Sequence, residues 1–222
     1  MQAMHPTLPS TVDLTPFLPQ GWAEDLEKFA ATSLFPVQQD EGGPGSIGYG
    51  ADAGIEYRTA LKPEITEGIP WVAYLHEQVI PVLLGLQGYG GLAGDPRADG
   101  ELTPIQGSHG LVVNVFTKGK KGIEWHRDGA DVFLNVIVST RVWDRATGGR
   151  LLVHDGREVQ ALALGAPGKG VVVLTGDYPH TVEPLAYDTA HRVTLLFSYT
   201  NPARAAWRED RYNDHFYAGR EA

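Results

Sequence analysis

The chain contains no cysteine, so a disulfide framework, a thiolate metal site and a thiol nucleophile are all excluded. That absence fits a cytoplasmic protein. Long apolar runs are also missing: none reaches the roughly 20 residues that span a bilayer. The opening stretch Met1-Gln2-Ala3-Met4-His5-Pro6 has no basic region leading into an apolar one, which predicts a soluble, unexported protein without a membrane partner. Basic residues are scarce, with 18 Lys and Arg against 27 Asp and Glu and a formal net charge of -9. Apart from the short Lys118-Gly119-Lys120-Lys121 turn there is no dense basic run, and such a balance opposes attraction to phosphate backbones. Nucleic acid is therefore not expected as a partner. No internal repeat or low-complexity tract is present.

What is present reads as one globular unit over residues 1–222, because nothing in the chain resembles a linker and the length can bury a substantial core. Hydrophobic residues at 42%, together with 27 Gly and 15 Pro, favour a turn-rich, β-rich fold. Residues 1–109 read as helices and loops that support and cover the rest, 110–200 as the core, and 201–222 as a charged and aromatic tail with Trp207, Tyr212, Phe216 and Tyr217. The tail could pack on the sheet or against a second subunit, which leaves a homodimer open.

In the first part, Trp22, Leu26 and Phe29 recur at helical spacing, with Glu24 and Asp25 suited to a helix N-terminus. A second helix is expected from about Pro70, with an apolar stripe of Trp71, Leu75, Val79, Leu83 and Leu86 that Pro81 should kink or divide. The Gly-rich run Glu41 to Gly50 is a long loop. It lacks the Gly-Lys-Ser/Thr ending and the preceding strand of a phosphate-binding loop.

From Gly110 the pattern changes to short β-branched runs between turn signals, which predicts a sandwich or barrel. The expected strands are Leu111 to Phe116, Ile123 to His126, Val132 to Val138, Arg150 to His154, Val159 to Leu164, Val171 to Leu174, His180 to Glu183 and Arg192 to Tyr199. Eight strands fit a double-sheet jelly roll, giving an all-β core with flanking helices.

Within that run lies Trp125-His126-Arg127-Asp128-Gly129. In extended chain, residues i and i+2 point to one face, so His126 and Asp128 can converge on one ion. His180 follows the turn Gly176-Asp177-Tyr178-Pro179 and opens a strand that an antiparallel fold can bring beside His126. Two imidazoles and one carboxylate leave coordination positions open, the arrangement associated with non-haem Fe(II) oxygenases. The rival pair His154-Asp155 has its side chains on opposite faces, and a turn already accounts for Asp155-Gly156. His191 should point away from any pocket that Arg192 faces, and His5, His76, His109 and His215 carry no partner pattern.

Arg192 discriminates among metal sites. A dicarboxylate held at the metal by its keto-acid end needs a fixed cation at its far end, and a buried guanidinium binds carboxylate through two parallel hydrogen bonds. The apolar strand that Arg192 opens implies that it points inward, with Thr194 on the same face able to donate a hydroxyl hydrogen bond.

The His-x-Asp pair, distal His and downstream Arg, set among short strands with Gly148-Gly149-Arg150-Leu151 between the two metal segments, resemble the Fe(II)/2-oxoglutarate-dependent dioxygenases, particularly their prolyl-hydroxylase-like branch. The resemblance covers about Leu111 to Tyr199. It implies a double-stranded β-helix, Fe(II) on His126, Asp128 and His180, and 2-oxoglutarate bound at its distal carboxylate by Arg192 with Thr194. The implied reaction consumes O2 and converts 2-oxoglutarate to succinate as a substrate C–H bond is oxidised, with hydroxylation the default. Halogenases related to this family have Gly or Ala at the position of Asp128, so chlorination is not expected. One departure concerns the strand before the first metal His, where the branch usually has tyrosines and this chain has Phe116 and Ile123. Asn114 or Asn135 would then have to assist with 2-oxoglutarate, although a strand Asn also commonly satisfies local backbone groups.

The substrate is expected to be a small molecule, such as an amino-acid-like metabolite or natural-product intermediate, with a protein prolyl-type side chain as the alternative. Two other classes stand beside it: a zinc hydrolase or isomerase with a His2Asp site, and a non-catalytic jelly-roll binding module. The segment Ser139 to Gly149 leaves a strand near the metal and returns to Arg150. Arg141, Arg145 and Arg150 in this acidic chain could anchor a substrate carboxylate or phosphate, with Trp143 as an apolar wall and Tyr57 and Arg58 contributing from the N-terminal region. The alternative for these arginines is solvated loop charge.

Overall fold

The computed structural model describes residues 10–33, 35–36, 57–60, 62–89, 102–106, 110–116, 125–128, 132–154, 157–162, 167–186 and 191–201. The Gly-rich loop 41–50, the tail after Asn201, the residues around Ile123, and His5, His109, Asp155 and His215 lie outside the described residues.

The jelly-roll strands fall close to where the alternation puts them: β5 (Leu111–Phe116), β6 (Leu134–Ser139), β7 (Leu151–His154), β8 (Val159–Leu162), β9 (Lys169–Val173), β10 (His180–Val182) and β11 (Arg192–Thr200). Of the expected strand ending at His126 only Trp125 and His126 are described, and His126 forms an antiparallel bridge with His180. The first part of the chain is not purely helix and loop. It supplies β1 (Ser10–Asp13), β2 (Phe35–Pro36), β3 (Tyr57–Ala60) and β4 (Thr103–Pro104). These strands carry little pattern of their own. In β1 only Val12 is buried, and the extended shape comes from pairing with β9, Val12 opposite Gly170. Strand preference of this kind depends on the neighbouring surface more than on the segment itself.

The larger sheet runs β1-β9-β6-β11-β5-β3-β2, with β4 also on β11, and the smaller runs β10-β7-β8. Successive residues of each strand face opposite sides, and the larger sheet sorts its side chains accordingly. Val113 and Val115 of β5, Leu134, Val136 and Val138 of β6, and Val193, Leu195, Phe197 and Tyr199 of β11 pack against the helices. Ile137, Val171 and Val173 turn the other way and meet Leu151, Val153 and Val182 of the smaller sheet. The same face of β6 and β11 also carries partly buried Leu196 and the buried polar residues Asn135, Ser139, Arg192, Thr194 and Ser198. Polar groups this deep require partners.

The helices are α1 (Trp22–Ser33), α2 (Lys62–Gly68), α3 (Trp71–Tyr74) and α4 (Ile80–Leu86). Pro81 does not break the second helical stretch. A π turn, Leu75–Val79, joins α3 to α4, and the Ile80 N–H reaches back to the Leu75 carbonyl. The next N–H would belong to Pro81, which has none. The His76 carbonyl instead accepts the hydroxyl of Tyr199 at 2.9 Å, and the buried His76 ring lies against the Ser198 carbonyl, 3.1 Å from its Nε2. The wide turn inserts one residue into the helical phase. The expected stripe therefore fails at its end: Leu86 is 81% exposed, whereas Ile80 and Leu84 are fully buried. Among the described residues, no helix is long and apolar enough to cross a membrane.

This phase shift predicts opposite outcomes for two neighbouring leucines. Leu84→Ala should cost about 2–5 kcal/mol of stability, whereas Leu86→Ala should stay within about 0.5 kcal/mol. Urea denaturation of both variants checks the difference.

Candidate metal and co-substrate site

Two segments 54 residues apart in sequence build the metal site through backbone hydrogen bonds. The His126 N–H donates to the His180 carbonyl at 3.0 Å, and the His180 N–H donates to the His126 carbonyl at 2.8 Å. The turn Thr175–Asp177 reverses the chain ahead of β10, with the Asp177 and Tyr178 N–H groups on the Leu174 carbonyl. That turn also presents the Thr175 carbonyl to the Asp128 N–H at 3.2 Å. The His-x-Asp segment is thus tied at both of its ligand residues.

The side chains converge as the i, i+2 spacing predicts. One donor atom from each of His126, Asp128 and His180 lies within 4.8 Å of the others. Asp128 Oδ1 is 3.9 Å from His126 Nε2 and 3.7 Å from His180 Nε2. All three are mostly enclosed, with side-chain exposures of 10%, 18% and 7% for His126, Asp128 and His180. Burial holds the His180 imidazole below the ordinary histidine range, partly opposed by the Asp128 charge. Its Nδ1 lies 3.3 Å from the Tyr178 carbonyl. Because a carbonyl only accepts, Nδ1 carries the proton and the lone pair is on Nε2, facing Asp128. A neutral, oriented imidazole is what a divalent ion requires.

A buried Arg-Thr pair lies on β11. Arg192 is 3% exposed and Thr194 is fully buried, and Arg192 Nη1 is 3.4 Å from Thr194 Oγ1. Thr194 stands opposite Asn114 on β5 and Ser139 on β6, while Ser198 stands opposite Asn135. Four residues of strand separate Thr194 from Ser198, roughly 13 Å at the rise of an extended chain.

Gly148 and Gly149 hold the Arg192 end together. Both have φ +68, a left-handed conformation that a side chain disfavours. A Cβ on Gly148 would lie 2.2 Å from the Pro184 carbonyl oxygen. One on Gly149 would lie 3.2 Å from Arg192 Cδ and 3.0 Å from Trp143 Cε3. The Gly-Gly pair lets the loop before β7 close onto the stem of Arg192.

The remaining candidates are not gathered around the triad. Trp143 does not line a loop mouth: it is 4% exposed within the inter-sheet core, donates its indole N–H to Ser139 Oγ at 2.9 Å, and walls the Arg192 stem through Gly149. Arg150 precedes inward-facing Leu151 and so falls on the outer face of the smaller sheet. There it makes a two-pronged contact with Glu183, at 2.7 and 2.5 Å, so its charge is already matched. Arg141 is exposed, with Nε 3.4 Å from Glu27 of α1. Arg145 is exposed in a turn organised by Asp144, whose carboxylate accepts the Ala146 and Thr147 N–H groups. Tyr57 and Arg58 pair through β3 with Phe116 and Val115, and their side chains lie outside the described residues. His191 does turn away from the inner face, with Nε2 2.9 Å from Glu27.

Sequence reasoning overlooked Thr175 and Glu27. Thr175 is fully buried beside Asp128. Glu27 collects Thr140, Arg141 and His191 and so pins α1 to the strand ends next to Arg192. Neither has a signature, because each acts through residues distant in sequence.

The fold is the jelly roll of the prolyl hydroxylases and other 2-oxoglutarate and Fe(II) oxygenases, and the chain carries a His-Asp-His cluster inside it. Among solved structures it is similar to a prolyl hydroxylase from Trichoplax adhaerens, in complex with a hypoxia inducible factor oxygen degradation domain peptide fragment. That match has TM-score 0.61 and 15% identity, covering 90% of this chain and 86% of that one. It is also similar to an oxidoreductase of the 2OG-Fe(II) oxygenase family from Burkholderia pseudomallei, with TM-score 0.56 and 18% identity over 89% and 88% of the two chains. A third similar structure is the non-heme alpha ketoglutarate dependent epimerase SnoN from nogalamycin biosynthesis, with TM-score 0.55 and 14% identity over 87% and 78%. No protein-family model and no curated protein matches the sequence.

Gly149→Ala should expose the dependence of Arg192 on the Gly-Gly turn. The variant should lose more than about 1 kcal/mol of stability from the left-handed backbone, and its thermal-shift response to 2-oxoglutarate should fall. A native-like response would separate Arg192 from this turn.

Proposed function

We propose that the chain is an Fe(II)/2-oxoglutarate-dependent dioxygenase that hydroxylates a C–H bond of a small molecule, with conversion of 2-oxoglutarate and O2 to succinate and CO2. The observation that carries this reading is the placement of three metal-donor side chains and a buried Arg-Thr pair on the inner face of one jelly roll. The donor set suits the ion: two neutral imidazoles and a carboxylate, with nothing softer. Bound there, Fe(II) would supply the activation of O2 coupled to oxidative decarboxylation of 2-oxoglutarate.

The protein's own part is positioning. His126, Asp128 and His180 would hold the metal, and three protein donors would leave positions for co-substrate and O2. Arg192 would offer a fixed cation and Thr194 a hydroxyl to the distal carboxylate, with Asn114, opposite Thr194 in the β5–β11 register, as the assisting amide. The enclosing sheets and Trp143 keep water from the Arg192 stem, which strengthens a charge-assisted contact. A small, amino-acid-like substrate and a cytoplasmic setting remain the preferred reading, supported by the acidic charge and the lack of cysteine. The second reading, a protein prolyl-type hydroxylase, draws on the similar structure solved with a peptide fragment.

Anaerobic addition of Fe(II) and 2-oxoglutarate should produce a visible charge-transfer band in the native protein. A zinc hydrolase or a binding module would give none. His126→Ala, Asp128→Ala and His180→Ala should each abolish the band and turnover while keeping the fold. Retention of both by any one variant removes that residue from the site.

Arg192→Ala should spare iron binding but raise the 2-oxoglutarate requirement about 100-fold, the scale of roughly 3 kcal/mol for a lost buried charge contact. Lys should rescue only in part, because an ammonium lacks the planar fork. Superimposable 2-oxoglutarate titrations of native and Ala proteins would falsify the co-substrate assignment. Succinate release across amino acids, related metabolites and proline-containing peptides then decides between the small-molecule and protein readings.

A further inference from the structure

Asn135 was a candidate for the 2-oxoglutarate end of the site, but its side chain is engaged at the metal end. It is 3% exposed and inward-facing on β6. Its amide nitrogen lies 2.6 Å from Asp128 Oδ2 and 3.0 Å from Thr175 Oγ1. Only one orientation of the amide is possible, because the reverse would press a carbonyl oxygen against a carboxylate oxygen. Both amide hydrogens are then committed, one to each partner, and the side chain has no freedom left to turn toward a co-substrate. Thr175 completes the arrangement, since its carbonyl accepts the Asp128 N–H at 3.2 Å while its hydroxyl oxygen braces Asn135.

The two oxygens of Asp128 are therefore inequivalent. Oδ2 is occupied by Asn135, while Oδ1 is the oxygen within 4 Å of both histidine Nε2 atoms. A free carboxylate can swing both oxygens onto a cation and take up two positions. A carboxylate with one oxygen held by a short, charge-assisted hydrogen bond gives that bond up, at a cost, if it swings both oxygens onto the ion. We propose that Asn135, braced by Thr175, is a positioning residue that keeps Asp128 a one-oxygen metal ligand and so preserves the open positions on the ion. The inference rests on the metal site of the proposed function and assigns to it a residue outside the ligand set.

The test uses Co(II) as a spectroscopic probe of the full-length protein, with Fe(II) in parallel. Asn135→Leu, with a similarly branched side chain that cannot donate, should weaken binding of both ions by about 10- to 100-fold, the scale for removing a partner of a ligating carboxylate. The Co(II) absorption bands should also shift, since a carboxylate that takes a second position changes the coordination. A role in packing alone would leave the bands unmoved. Thr175→Val should move affinity and bands in the same direction by a smaller amount, and Thr175→Ser should restore both. This pair carries the test if Asn135→Leu fails to fold.

A native protein that binds neither ion overturns the proposed function and this inference together. A native protein that binds while Asn135→Leu matches it in affinity and spectrum overturns the inference alone, as does a Thr175→Val protein indistinguishable from Thr175→Ser.

Discussion

The reciprocal backbone hydrogen bonds between His126 and His180 are the constraint on which the site depends. Each contributes only about 0.5–1.5 kcal/mol in net stability, but together they set a register. A slip of one residue in a strand turns every side chain to the other face, so it would exchange His180 for Pro179 or Thr181 and leave the cluster without its third donor. The bridge also adds the His-x-Asp segment to the edge of β10, next to β7. The smaller sheet thereby presents the metal ligands toward the larger one.

The larger sheet supplies the other half through the two-sided character of β11. One face of that strand, Val193, Leu195, Phe197 and Tyr199, belongs to the helix-covered core. The opposite face carries Arg192, Thr194 and Ser198. Stability and chemistry share one nine-residue strand without competing, because strand alternation sends them to opposite sides. A buried guanidinium would be costly to hold in a purely apolar layer. Here it sits in a layer that also holds Asn135, Ser139, Thr194 and Ser198.

Local pattern accounts for what could be read from sequence. The alternation from Leu111 to Tyr199 located the strands, and the i, i+2 spacing of His126 and Asp128 anticipated their convergence. Inward placement of Arg192 followed from the apolar residues of its own strand. What could not be read depends on partners chosen by tertiary structure. The segments Ser10–Asp13 and Tyr57–Ala60 become strands because β9 and β5 offer them edges. Arg150 looked available until β10 brought Glu183 against it. Asn135 and Asn114 were indistinguishable as polar residues in apolar strands, and only the position of Asp128 and Thr175 separates their roles. Leu86 was misplaced because a helical stripe assumes one uninterrupted period.

The π turn at Leu75–Val79 makes the stretch from Trp71 to Leu86 two half-helices of different phase on a common axis. The hydroxyl of Tyr199 fills the gap left by Pro81, so the change of phase is anchored to the central strand of the larger sheet. Homologous chains can therefore differ by one residue within this turn while keeping the same side chains against the sheet. Comparisons between such chains should count positions separately on either side of it.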